Sequence, residues 1–154
     1  MTVKDSFPKV LTLESKFPCY RSVAKMGAKI GDSIVLVNAS EVEAIMKSVK
    51  KNKLIPIYEI CGLVSKKYNV KACCTLTTGI FIMIAANAAK EMEIEGKKNK
   101  NPYWCTPKAG GYLNEKYPGG SKAHKELLEK EGFKIIKRGK RYQVTDFSKY
   151  LVNP

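Results

Sequence analysis

From Ala72 to Ala89, between Lys71 and Lys90, no residue carries a charge, although 27% of the 154-residue chain is Asp, Glu, Lys or Arg. Such a stretch has to leave water, either as a membrane span or as a helix inside a globular core. Its length only borders on a span. Thr75, Thr77, Thr78, Gly79 and Asn87 interrupt it with residues that lipid does not favour. A buried helix from about Leu76 to Glu93 is therefore expected, with no membrane partner.

The elements around it fit a mixed α+β domain. Ser40 and Glu43 have the spacing of a capping box, and Val42, Ile45, Met46 and Val49 follow at helical spacing. A second helix is expected from Ile57 to Tyr68, after Pro56, with Ile57, Ile60, Cys61 and Val64 inward. Asn69-Val70 breaks the pattern before the uncharged helix, which is helix-turn-helix grammar. A further helix is expected from an N-cap at Ser121 to Glu131, stopped by Gly132. Residues 133–137 and 141–144 flank Arg138-Gly139-Lys140 as a β-hairpin, so the whole reads as a winged helix. Residues 1–39 form a β-rich N-terminal extension with strands near 9–13 and 33–37, and residues 40–154 form the main domain.

Charge directs attention to polyanions. Lys and Arg number 28 against 14 Asp and Glu, a net charge of +14, which favours nucleic acid as partner. Lys108 and the hairpin cations Lys137, Arg138, Lys140 and Arg141 are the candidate phosphate contacts. At the start of the uncharged helix, Thr75, Thr77, Thr78 and Gly79 offer close approach and free N–H groups to a phosphate. The five cysteines (Cys19, Cys61, Cys73, Cys74, Cys105) have no CxxC spacing, and His124 is the only histidine. No metal site and no cofactor is expected. Reduced thiols and a charged N-terminus suggest a cytoplasmic or nuclear protein.

The segment that suggests chemistry is Pro102-Tyr103-Trp104-Cys105-Thr106, followed by Gly110-Gly111, Tyr117-Pro118-Gly119-Gly120 and Leu127-Leu128 with Glu131. This series resembles the alkylguanine-DNA alkyltransferases and their non-catalytic relatives, the alkyltransferase-like proteins. Their acceptor motif is Pro-Cys-His-Arg-Val, followed by a glycine turn, a Tyr-Ser-Gly-Gly turn and a helix carrying Leu-Leu and Glu. The resemblance spans roughly residues 40–132, with one extra residue before Tyr117, and is specific in its second half.

The resemblance implies a winged helix-turn-helix that holds an everted base. Its residues here would be Tyr103, Trp104, Cys105, Tyr117, Gly119, Gly120 and Glu131. Tyr103 stands at the acceptor cysteine and Trp104 at the histidine that activates it, so suicide alkyl transfer is not expected. The implied function is non-enzymatic recognition of alkylated guanine or other altered bases in duplex DNA, with a repair protein as a further partner. Two alternatives stand beside it. Cys105 could accept an alkyl group in altered geometry, a weak case because His124 is expected exposed between Lys122 and Lys125 and no other base is evident. Alternatively, the chain is a winged-helix regulator with an idle pocket. The family's arginine finger has no counterpart between Thr75 and Ile82, and Ile57, beside Tyr58, replaces a phosphate-rotating tyrosine.

Overall fold

The structure is a computed structural model and describes residues 7–152. The protein is mixed α+β. Strand β1 (Lys9–Thr12) leads through helix α1 (Tyr20–Lys25) to β2 (Ser33–Leu36). Then come α2 (Ala39–Lys47), α3 (Ile57–Tyr68), a short β3 (Ala72–Cys73) and the long α4 (Thr75–Ile94). Two 3-10 turns, Tyr103–Cys105 and Ala109–Gly111, precede α5 (Gly120–Lys130), the hairpin β4 (Ile135–Arg138) and β5 (Arg141–Val144), and a last turn at Phe147–Tyr150.

The two N-terminal strands pair antiparallel, Lys9 opposite Leu36. They do not stand apart from the rest, because β2 also pairs in parallel with β3, Val35 opposite Cys73. Val35 and Val37 sit in the main core with residues of α2, α3 and α4, while Leu13, Val23, Ile34 and Cys74 close a smaller core beneath α1. Helix α1 had no clear signal in the sequence.

Two caps differ from expectation. Asn38, rather than Ser40, caps α2: its Oδ1 accepts the Glu41 N–H at 2.8 Å and the Ser40 hydroxyl at 2.9 Å. Helix α5 begins at Gly120, with Gly119 rather than Ser121 at its N-cap. Helix α3 has the expected bounds and ends on Asn69 in the left-handed conformation.

Helix α4 is buried along only one side. Thr78, Phe81, Ile82, Ala85, Ala86 and Ala89 face the core. Leu76, Ile80 and Ile84, one turn apart, are 51%, 53% and 55% exposed. No helix among the described residues is long and apolar enough to cross a membrane.

Candidate functional site

The turn at Tyr103–Cys105 is a tightly knit interior. Tyr103 is buried, and its ring meets those of Trp104 and Tyr117 edge-on, each pair 5.4 Å between centroids. Tyr117 is buried too, and its hydroxyl donates to the Thr106 carbonyl at 2.6 Å. Burial pushes the phenol pKa of both tyrosines up, so both stay neutral donors.

His124 closes this cluster and corrects the expectation of an exposed histidine. It is 1% exposed. Its Nδ1 accepts the Asn114 N–H at 3.0 Å, so Nε2 carries the proton and donates to the Trp104 carbonyl at 2.8 Å. Burial lowers its pKa from 6.5 to about 4. The flanking Lys122 and Lys125 suggested a solvated face. The helical period nonetheless turns His124 inward, one turn before Leu128.

Trp104 and Glu131 meet, but as a clamp and not as a pocket wall. The indole Nε1–H donates to Glu131 Oε1 at 2.6 Å, and the Asn52 backbone N–H donates to Oε2 at 3.3 Å. An indole only donates, so the carboxylate is its natural partner. Cys105 Sγ lies 3.6 and 3.8 Å from the two Glu131 oxygens, and the residue is 1% exposed. Burial, and after it the Glu131 carboxylate, push its thiol well above the usual range. A nucleophile needs the opposite environment. His124 does not serve as its base, because both imidazole nitrogens are engaged elsewhere.

Beside this interior lies an open cavity of about 710 Å³. Of the seven residues assigned to a base pocket, Tyr117 alone lines it. Tyr103, Trp104, Cys105 and Glu131 are occupied with one another, and Gly119 and Gly120 do not border it. Those glycines serve the backbone instead, with φ of +82° and +76°, and a Cβ on Gly119 would come within 2.6 Å of the Ala123 Cβ. The cavity is formed by Ile57 and Tyr58 at the start of α3, by the outer side of α4 and by the loop Thr106–Ala109. Lys108 and Lys116 also border it, and no carboxylate among the described residues does.

The α4 threonines divide. Thr75 and Gly79 line the cavity. Thr78 is fully buried, its hydroxyl donating to the Cys74 carbonyl at 2.8 Å, and Thr77 donates to Cys74 Sγ at 3.5 Å. Thr78 is therefore not a phosphate contact. A hydroxyl in a first helical turn can turn back onto the chain, and these two do.

The cationic hairpin has the expected form. Gly139 and Lys140 form the turn between β4 and β5, with Arg138 opposite Arg141. Lys137, Arg138, Lys140 and Arg141 are exposed. Arg138 Nε donates to Gln143 Oε1 at 3.1 Å, and Arg141 stacks on the Tyr112 ring at 3.7 Å. Gln143 in turn donates to the Gly110 carbonyl at 2.7 Å. The hairpin is thereby tied to the loop that borders the cavity. Lys108 there pairs with Glu115 at 3.1 Å.

Sequence reasoning missed Ile80, Met83, Pro107, Asn114 and Lys116 as cavity residues. The one available signal was the apolar ladder Leu76, Ile80, Ile84, which runs outside the inward set of the same helix. No protein-family model, curated protein or solved structure matches the chain.

Proposed function

We propose that this is a non-enzymatic duplex-DNA-binding protein of the alkyltransferase-like kind. In this reading α3 and α4 with the β4–β5 hairpin act as a winged helix-turn-helix, and an altered base is taken up at the cavity beside Tyr117. The observation that carries it is the continuity of that cavity with cationic groups. Lys108 and Lys116 border it, and the Gln143–Gly110 hydrogen bond links its loop to the exposed hairpin. A base leaving the stack costs a few kcal/mol, least at damaged pairs. Contact with the half-buried Tyr58 ring on the cavity wall offsets roughly 1–3 kcal/mol of that. The absence of turnover in this reading is supported by Cys105, whose thiol is sealed against a carboxylate.

The test is binding of duplexes with and without O6-alkylguanine, followed by fluorescence anisotropy across a salt series. The expected result is tighter binding of the alkylated duplex and no mass increase of the protein after incubation with it. Replacing Lys137 and Lys140 by Glu should lower the slope of log affinity against log salt by about 0.9 for each phosphate no longer neutralised. Equal affinity for both duplexes removes the base-recognition part. An unchanged slope removes the wing.

A second reading, a winged-helix binder with an idle pocket, is favoured by the interlocked packing of Tyr103 and Trp104. It predicts equal affinity with the hairpin dependence intact.

A further inference from the structure

We propose that Cys19 and Cys74 form a redox switch, closing to a disulfide that fastens α1 to the start of α4 at the cavity edge. All five cysteines are free, but their surroundings differ. Cys105 is held against Glu131. Cys61 and Cys73 are fully buried about the Thr78 hydroxyl, 3.6 and 3.3 Å from it. Cys19 and Cys74 stand at helix starts, Cys19 as the N-cap of α1 and Cys74 as that of α4. Both belong to the smaller core, and their thiols are hydrogen-bond neighbours. Cys19 also lines the open cavity, together with Pro18, Ser22, Thr75 and Leu76. A small oxidant in the cavity therefore meets this pair first, because neither Cys61 nor Cys73 borders it.

The surroundings also give each sulfur its part. Cys74 Sγ accepts the Thr77 hydroxyl at 3.5 Å and the Cys19 thiol, at the positive end of a 20-residue helix. Burial, and after it this bond to Cys74, push the Cys19 pKa up to about 12, so Cys19 keeps its proton. Cys74 is then the attacking sulfur and Cys19 the resolving one. With hydrogen peroxide as oxidant, the Cys74 thiolate takes one oxygen, the O–O bond breaks and hydroxide leaves. The Cys19 sulfur next attacks Cys74 Sγ, the S–O bond breaks, and that oxygen departs with the Cys19 proton as water. The thiols lose two electrons and the peroxide becomes two waters, the hydroxide taking up the proton that Cys74 had released. Helix α1 has six residues and buries only Val23 among them. An element with so few buried contacts opens at low cost, so a link to α4 decides how firmly this wall of the cavity is held.

The test is graded hydrogen peroxide on the reduced protein, read by mass spectrometry before and after alkylation in denaturant. The wild type should lose about 2 Da, its two thiol hydrogens, and alkylation should then reach Cys61, Cys73 and Cys105 only. Dithiothreitol should reverse both results. In the oxidised form, deuterium exchange of the α1 amides should slow by about tenfold or more, and the melting temperature should rise. Cys19→Ser and Cys74→Ser should each abolish these changes, whereas Cys105→Ser should leave them. No mass loss, a bond between Cys61 and Cys73, oxygen added to Cys74 without the bond, or unchanged α1 exchange each overturns the proposal. Should a serine variant fail to fold, the alkylation pattern of the wild type decides alone. The inference goes beyond the DNA reading and stands apart from it, because none of these readouts involves nucleic acid.

Discussion

The turn at Tyr103–Cys105 and the outer side of α4 are both rich in large apolar residues, and they have opposite fates. Around the turn three rings bury their polar tips against partners: Trp104 on Glu131, Tyr117 on the Thr106 carbonyl, and His124 on Trp104 and Asn114, although the Thr106 hydroxyl and the Asn101 side chain stay buried without one. Amphipathic rings with one polar end each can be buried at little cost when those ends pair with one another. On α4 the aliphatic side chains have no such partners to seek, and one side of the helix already fills the core. The remaining side chains stay outside. Residue type alone therefore did not decide which region is open; the number of faces the fold could cover did.

That contrast is tested first at its centre. Tyr103→Ala empties a fully packed position, and a loss of about 3–5 kcal/mol in chemical denaturation is expected. A loss below about 1 kcal/mol would mean the ring sits in an adaptable pocket after all.

Next in size is the response to acid. His124 is neutral in the folded protein, with a pKa of about 4 against an ordinary 6.5. As pH falls, the unfolded chain takes up this proton first. The stability present above pH 6.5 is then lost progressively down to pH 4, by up to about 3 kcal/mol. Urea midpoints measured across that window should fall for the wild type and flatten for His124→Gln. Parallel curves for the two proteins would place the imidazole in solvent.

Trp104→Phe keeps an aromatic ring but removes the donor to Glu131, and about 1–3 kcal/mol is expected from the stranded carboxylate. Glu131→Gln, which can still accept the indole N–H, should cost less. If the two are equal, the clamp contributes only packing. The smallest effect belongs to the outer ridge: Ile80→Ala should change stability by no more than about 0.5 kcal/mol. A larger loss there would remove the distinction between the two regions.

Much of the architecture was legible along the chain. Helix α3 follows from its period and its Pro56 start, the hairpin from strands flanking Gly139, and α4 from the charge-free run after Lys71. These depend on local propensity and periodicity, which operate over a few residues. Helix α1 was not legible, because the short stretch between Pro18 and Gly27 carries no distinctive period. The caps at Asn38 and Gly119 were missed in favour of nearby serines: Asn38 caps through a side chain as serine would, whereas Gly119 caps through its left-handed backbone alone.

Order along the chain was enough to specify most of the elements and the net positive charge. Packing in three dimensions supplied the rest. It turned His124 inward, closed Tyr103, Trp104 and Glu131 on one another, and set the cavity against Tyr117 and α4. The physical reason is range. Helices, turns and charge are set by neighbours in sequence, whereas a pocket is the space left where Ile57, Ile80 and Pro107 meet, and no spacing within one segment encodes that gap.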